Sequence, residues 1–199
     1  MRELPDEQTL ALRALWVRPE QLIEMPVMKQ NRLEHAPKAL HRGLSAHIDY
    51  LRKQIKQADH DLDHQVRDSA LWDKYEVLRS VPGVGLVSSV ALLSALPELG
   101  RLNRGEISAL AGVASFNDDG GTLSGQRKIQ GGRRRLQRVL HLATVASVRC
   151  NSVLRTFYLR LRAAGKPVKV ALVAAMRKLL VILNAMVKSN TRWDASCPE

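Results

Sequence analysis

Aromatic residues are scarce in this chain: phenylalanine, tyrosine and tryptophan make up 4% of its 199 residues. Proteins that bind single strands by base stacking need an array of such rings, so the composition argues against that mode of binding. Cysteine is nearly absent as well. Cys150 and Cys197 lie far apart, with no CxxC or Cys/His spacing. They indicate neither a zinc ribbon nor a disulfide framework, and they fit a reducing compartment.

Long apolar runs are also few. The first residues contain no apolar core followed by a small-residue cleavage site, so no secretion signal is predicted. Residues 168–187 form an apolar run long enough to suggest a membrane-spanning helix, but Lys169, Arg177 and Lys178 interrupt it. Charges near the middle of a membrane span are costly. We therefore expect this run to be a centrally buried helix of a soluble protein.

Acidic residues are outnumbered: 31 lysines and arginines against 19 aspartates and glutamates give a net charge of +12. Most of the excess lies after Arg101. Such a surface attracts polyanions, of which nucleic acid is the commonest inside cells. With 45% apolar residues, the chain has enough material for a packed core and a length that suits one or two domains.

The apolar periodicity predicts a mainly α fold in four parts. Residues 1–39 form a helical arm broken by prolines, and residues 40–70 form a coiled-coil-like helix. Its apolar seam recurs at steps of three and four, at Ile48, Leu51, Ile55, Ala58, Leu62 and Gln65 or Val66. This seam predicts a homo-oligomer through residues 48–66. Packing against an earlier helix of the same chain is the alternative that the short seam leaves open.

Residues 71–193 have the pattern of a compact helical domain, followed by a tail at 194–199. We predict helices over 71–80, 86–96, 133–148, 153–164 and 167–188. Another helix begins after Asn103, because Glu106 follows three residues later and the pair can form a capping box. A short hairpin flanking GGTLSG, residues 120–125, is the one place where strands are considered.

The segment Ser80–Gly85, with the sequence SVPGVG, lies between two predicted helices. This pattern matches the helix-hairpin-helix motif of proteins that bind DNA without base specificity. Gly83 and Gly85 permit a tight turn and leave backbone N–H groups uncovered, so that these groups and the next helix N-terminus can bind a phosphate. An ordinary tight connection between helices is the alternative. The charge of the chain favours DNA binding.

A second basic feature runs from Phe116 to Arg138, with the sequence FNDDGGTLSGQRKIQGGRRRLQR. Its cations are Arg127, Lys128, Arg133, Arg134, Arg135 and Arg138. Arginines at the start of a helix that follows glycines can bind phosphates bidentately, assisted by the helix dipole. We predict that these six residues contact DNA.

The carboxylates and histidines do not predict a metal site. Asp118 and Asp119 are adjacent and therefore diverge, whereas a two-metal nuclease needs several carboxylates from different elements. His60 and His64 lack a nearby third ligand, so we interpret them as solvated side chains. Ser124, just before Arg127, is the candidate nucleophile for attack on a phosphodiester. A serine in a loop is more commonly only a loop residue.

Several segments together resemble one known family. They are LRSVPGVGLVSSVALLSALPELGRLNRGEISALAGVASFN, then GQRKIQGGRRRLQRVL, then NSVLRTFYLRLRAAGKPVKVALVAAMRKLLVILNAMV and the closing TRW. Across residues 71–193 they are similar to the C-terminal transposase domain of the insertion-sequence "one-ten" family. Its members are bridge-RNA-guided DNA recombinases of bacterial mobile elements. The preceding residues resemble the helical linker of that family.

The resemblance implies a bacterial cytoplasmic protein whose partners are DNA and a guide RNA. It also implies a divalent metal in a RuvC-like domain ahead of the linker. That domain is not found in this sequence, so we expect an N-terminally truncated chain with no cofactor of its own. The family's catalytic serine falls on Gly120 when Phe116, Asn117 and Asp119 are aligned. We therefore expect a DNA-binding chain that has lost catalysis, unless Ser124 substitutes. A stand-alone repressor-like binder is the alternative function.

Overall fold

The computed structural model describes residues 28, 29, 32, 33, 35–114 and 134–195. These residues contain seven helices and no strand: α1 (Lys38–Arg67), α2 (Trp72–Arg79), α3 (Leu86–Ala95), α4 (Arg104–Leu110), α5 (Arg134–Cys150), α6 (Ser152–Ala163) and α7 (Val168–Ser189). The mainly α class is therefore confirmed. The predicted hairpin around residues 120–125 and most of the predicted arm lie outside the described residues. The chain divides into two compact units, residues 1–72 and 73–199.

The first unit contains α1, which begins directly after Pro37. Proline fixes its own φ near the helical value and lacks an N–H, so it is well placed at a helix start. Its carbonyl accepts a hydrogen bond from the amide of Leu40 at 2.9 Å. Four members of the predicted seam, Ile48, Leu51, Leu62 and Val66, are at most 4% exposed, and Ile55 and Ala58 are half-buried. The seam is therefore largely covered within a single chain.

In the second unit, polar residues cap the helices and set where they begin and end. Asn103 caps α4: its Oδ1 accepts from the amides of Gly105 and Glu106 at 2.9 and 3.0 Å, and Glu106 Oε2 accepts from the Asn103 amide at 3.0 Å. The predicted capping box is thus confirmed. Asn190, in the left-handed conformation at φ 52°, ends α7, as asparagine tolerates.

Helix α7 is the centre of the second unit and packs against α4, α5 and α6, while α3 packs against α5. Its buried residues are Ala171, Ala175, Met176, Leu179, Leu180, Leu183, Asn184, Met186 and Val187. By length and composition alone α7 could cross a membrane, but half of its apolar window is buried by the rest of the protein. A buried core helix gives the same composition, and the expected central burial of this run is confirmed.

A buried asparagine holds the connection between α3 and α4 against α7. Asn184 Oδ1 accepts from the amide of Gly100 at 2.8 Å, and its Nδ2 donates to the carbonyl of Leu102 at 2.9 Å. Gly100 has φ +85°, and a Cβ there would lie 2.8 Å from Val187 Cγ1. The connection therefore needs glycine at this position, and Asn184 supplies the hydrogen bonds that the buried backbone requires.

Candidate nucleic-acid interface

The segment Ser80–Gly85, here called the hairpin turn, joins α2 to α3. The amide of Val84 donates to the carbonyl of Val81 at 3.0 Å, and Gly83 at the third position of this β-turn has φ +96°. Proline at the second position and glycine at the third are the residues that a type II turn requires. The sequence therefore forms a tight reversal between two helices. Its function as a DNA-binding helix-hairpin-helix stays a prediction.

Gly83 is held against α5. A Cβ on this residue would overlap the backbone N, Cα and Oγ of Ser147. Ser147 is fully buried, as are its neighbours on the packed side of α5, Ala143 and Thr144. Gly83 thus allows a close approach of the turn to the helix, which is a packing requirement independent of any ligand.

Gly85 has a different environment. It is exposed, has φ −89°, and no atom lies within 4 Å of the position that a Cβ would occupy, so a larger residue would meet open space. As the N-cap of α3 it accepts the first helical hydrogen bond, from the amide of Ser89 at 2.9 Å. The amides of Leu86, Val87 and Ser88 are those that a helix leaves without an intrahelical partner. Such amides can bind a phosphate.

The structure describes only part of the basic cluster that the sequence predicts at residues 127–138. Arg134 and Arg138 lie on the exposed face of α5, four residues apart, and together they are called the basic end. The backbone of Arg135 belongs to the same helix. Other predicted site residues, Gly120, Ser124, Arg127, Lys128 and Arg133, lie outside the described residues. Gln137 Nε2 donates to the carbonyl of Gly112 at 2.9 Å and ties this end of α5 to the segment after α4.

The structure does not bring the hairpin turn and the basic end into one site. Gly83 contacts Ser147, thirteen residues after Arg134 on the same helix. With a rise of about 1.5 Å per residue, this places the two features about 20 Å apart along α5. A strand of B-DNA advances about 3.4 Å per nucleotide, so phosphates at both features would be about six nucleotides apart. Only an extended polyanion could reach both.

The described residues do not form a site for the divalent metal that the resemblance implies. Among them, no three or more histidine, cysteine, aspartate or glutamate side chains form a group that could hold a metal. The ring Nδ1 of His64 lies 3.1 Å from Asp68 Oδ2, and that of His60 lies 4.0 Å from Asp61 Oδ1, all on exposed side chains. This donor set does not fit a metal of the two-metal type, so no reaction step is assigned to one.

Two residues of the closing TRW segment are attached to α2 and to the first residue of the hairpin turn. Arg192 Nη2 lies 2.8 Å from Glu76 Oε2, and the amide of Trp193 donates to Ser80 Oγ at 2.8 Å. The residues just after α7 are thereby fixed beside the turn. The chain end carries no local signal for this contact, because it depends on the tertiary arrangement of α2 and α7.

Part of this helical domain matches a family of known proteins. Residues 75–159 match the model of the Transposase IS116/IS110/IS902 family. The resemblance to the insertion-sequence "one-ten" family is therefore confirmed, and these residues are similar to that transposase family. The match includes the hairpin turn, α3, α4, α5 and most of α6. It supports a role related to transposition.

Three curated relatives point to the same family. An insertion element IS110 protein of Streptomyces coelicolor is 31% identical over 124 residues, covering 61% of this chain and 31% of the relative. An insertion element IS900 protein of Mycobacterium paratuberculosis is 30% identical over 120 residues, covering 58% and 30%. An insertion element IS116 protein of Streptomyces clavuligerus is 25% identical over 199 residues, covering 99% and 48%. The chain thus spans less than half the length of these relatives.

Proposed function

We propose that this chain binds DNA during the transposition of a bacterial mobile element, in the cytoplasm. The observation that carries the proposal is the family match over residues 75–159, which includes a helix whose exposed N-terminal face bears arginines. The cations of Arg134 and Arg138 and the uncovered amides of α3 are both groups that bind phosphates. Neither group contacts base edges, so the proposed binding has little sequence preference.

The proposed role is binding without strand-exchange chemistry by this chain alone. Aligned with the pattern of the family that it resembles, the chain has Gly120 at the position of the catalytic serine. Glycine has no hydroxyl that could attack a phosphodiester. The remaining candidate is Ser124. A covalent protein–DNA adduct that forms with the unmodified chain and is lost in Ser124→Ala would contradict this part of the proposal.

Guide RNA and a homo-oligomer through residues 48–66 are further partners proposed from the resemblance and the α1 seam. Four seam residues are already buried within one chain, so an oligomer would have to use the less buried positions or replace existing contacts. Light scattering after size-exclusion chromatography tests the oligomer. Competition of guide RNA with duplex DNA in a binding assay tests the RNA.

The main test measures duplex DNA binding by fluorescence anisotropy over a series of salt concentrations. The variant replaces Arg133, Arg134 and Arg135 with alanine. Each lost phosphate contact reduces the steepness of log K against log salt by about 1 and weakens binding. We therefore expect a slope reduced by about 2 to 3 if two or three of these arginines bind phosphates.

The matched control removes equal charge elsewhere. Arg42, Lys53 and Lys56 are exposed on α1, and their replacement by alanine changes the net charge by the same amount. The control is expected to retain most of the affinity and the salt slope. Equal losses in the two variants would show that net charge alone attracts DNA, and unchanged binding in the Arg133, Arg134 and Arg135 variant would contradict the assignment of the basic cluster.

A further inference from the structure

An open groove lies between α6 and α7 in the second unit, with a volume of about 1250 Å³. Small-molecule sites measure roughly 300–1,000 Å³, so this groove is large for a single compact ligand. Its floor is apolar and includes Val153, Val181 and Ile182, which are half-buried. A smaller hollow of about 360 Å³ shares Phe157, Arg160 and Lys178 with the groove and adds Thr156. The groove and the hollow together are larger than a compact ligand needs, which suits a segment of a polymer.

The charge of the groove is almost entirely positive. Its lining contains five cations, Arg104, Arg160, Arg177, Lys178 and Arg192, and a single carboxylate, that of Asp194. Arg192 also lies 2.8 Å from Glu76, which offsets part of this charge. The excess of cations over an apolar floor selects an occupant with an anionic edge and a flat or apolar body. Nucleic acid with unpaired bases has both properties.

Two of the few aromatic residues of the chain lie in this groove. The guanidinium of Arg160 is 5.4 Å from the centroid of the Phe157 ring, and Lys178 Nζ is 4.9 Å from the same centroid. Trp193 lines the groove and is half-buried. Rings placed among cations are the combination by which proteins bind single strands, since bases stack while cations contact phosphates. The low aromatic content of the whole chain hides this local grouping.

One residue that lines the groove is hydrogen-bonded to the start of the hairpin turn. Trp193 lines the groove, and its amide donates to Ser80 Oγ, the first residue of the turn, at 2.8 Å. A strand bound in the groove would therefore pass close to the first residue of the turn. This proximity to a turn that precedes a helix with uncovered amides favours nucleic acid over a protein partner, because such amides bind phosphate.

We propose that the groove between α6 and α7 binds a single-stranded segment of nucleic acid, with bases against Phe157 and Trp193 and phosphates against Arg160, Arg177 and Lys178. The inference rests on the proposed function, since it gives the DNA-binding chain a second contact surface. That surface differs from the basic end in taking unpaired bases rather than duplex phosphates.

The test compares a fluorescent oligothymidylate with a duplex of equal length as anisotropy probes for the full chain. Phe157→Leu keeps an apolar side chain and removes the stacking surface, and Arg177→Ala with Lys178→Ala removes two cations. Each change is expected to weaken oligothymidylate binding by about tenfold, as loss of one stacked base or of its phosphate contacts does. Duplex binding is expected to change by less than about threefold, because it uses the basic end.

The matched control for charge is Lys53→Ala with Lys56→Ala on α1, which is expected to retain oligothymidylate binding. A second readout is independent of affinity: photo-crosslinking of an oligonucleotide that carries 4-thiothymidine should place adducts in peptides containing Phe157 or Trp193. Thermal unfolding of each variant separates loss of binding from loss of the fold, and the crosslinks of the unmodified chain test the groove even where a variant unfolds.

The outcomes separate the two proposals. Failure of the unmodified chain to bind either probe would contradict the proposed function and this inference together. Duplex binding that depends on Arg133, Arg134 and Arg135, combined with groove variants that bind oligothymidylate normally and crosslinks that lie elsewhere, would overturn the inference alone.

Discussion

The two ends of α5 differ in how they relate to the rest of the molecule. At its C-terminal end, Ser147 is fully buried and Gly83 of the hairpin turn is pressed against it. At its N-terminal end, Arg134 and Arg138 are exposed. Sequence patterns predict DNA binding at both ends. The structure buries Ser147 against the turn, whereas the side chains of Arg134 and Arg138 are exposed.

This difference predicts how substitutions act. A change at the packed end alters contacts within the protein, so its first effect is on the free energy of unfolding. A change at the basic end removes an exposed cation, so its main expected effect is on salt-dependent binding rather than on stability. Unfolding and binding measured on the same variants can therefore show whether the two ends are as different as the structure indicates.

The largest effect is expected at Gly83. In Gly83→Ala the new Cβ overlaps Ser147, and φ +96° is unfavourable for alanine. Overpacking and a left-handed backbone together cost about 3 kcal/mol or more in unfolding free energy. Urea unfolding monitored by circular dichroism measures this loss.

The matched control is Gly85→Ala, two residues away in the same turn. This position has open space around it and φ −89°. Alanine is a poorer N-cap than glycine, so a loss below about 1 kcal/mol is expected. Similar losses at both glycines would contradict the contrast between a packed and an open position. A DNA-binding defect in a stable Gly85→Ala variant would support phosphate contact at the turn.

The next effect is expected at Asn151, immediately after α5. Its Oδ1 accepts from the amides of Val153 and Leu154 at 3.1 and 3.2 Å and caps α6. Asn151→Ala should cost about 1–2 kcal/mol of unfolding free energy, because both amides lose their acceptor. Asn151→Ser keeps an acceptor and removes the Nδ2 group, which is buried without a hydrogen-bond partner, so it should cost less than about 0.5 kcal/mol. Chemical denaturation distinguishes the two, and a serine variant as unstable as the alanine variant would be evidence against capping.

A smaller effect, confined to binding, is expected at the basic end. Arg134→Lys with Arg138→Lys keeps both charges but removes the bidentate guanidinium geometry. Duplex affinity should fall by about threefold with an unchanged salt slope, whereas the corresponding alanine variant should reduce the slope by about 2. Anisotropy titrations at several salt concentrations measure both quantities. Stability should remain within about 0.5 kcal/mol in both variants, and a larger loss would mean that the basic end is part of the packed structure.

Helix positions are predictable because the signals that end helices are local. Pro37 precedes α1, Pro97 follows α3, and Gly165 separates α6 from α7. The Asn103–Glu106 capping box is likewise set by residues three apart, and the structure confirms it. Each of these features depends on neighbours within a few positions of the chain, so each can be found without knowledge of the tertiary structure.

The contacts that give these helices their functional surfaces are not predictable in the same way. The packing of Gly83 on Ser147 and the hydrogen bond from Trp193 to Ser80 join residues far apart in sequence. The groove has one local signal, since Arg177 and Lys178 interrupt an otherwise apolar helix. By itself that signal argues only against a membrane span, because the position of Phe157 opposite Lys178 requires the packing of α6 on α7.

The smallest effect on stability is expected at Asp59 on α1, whose charged side chain is partly buried. Its Oδ1 is buried without a hydrogen-bond partner, and desolvation by burial raises the pKa of this carboxyl above its ordinary value of 3.8. The folded state therefore binds the Asp59 proton more tightly than the unfolded state does. The stability that the protonated carboxyl contributes is fully present below pH 3.8 and is lost as the pH rises through the raised pKa.

Asp59→Asn removes this titration. The variant should therefore be more stable than the unmodified chain at neutral pH, and the difference should shrink as the pH falls toward 3.8. Urea unfolding of both proteins across this range measures the difference directly. A difference that does not depend on pH would show that the Asp59 carboxylate is solvated in the folded protein. In that case it would resemble the exposed charges of the basic end rather than the packed end of α5.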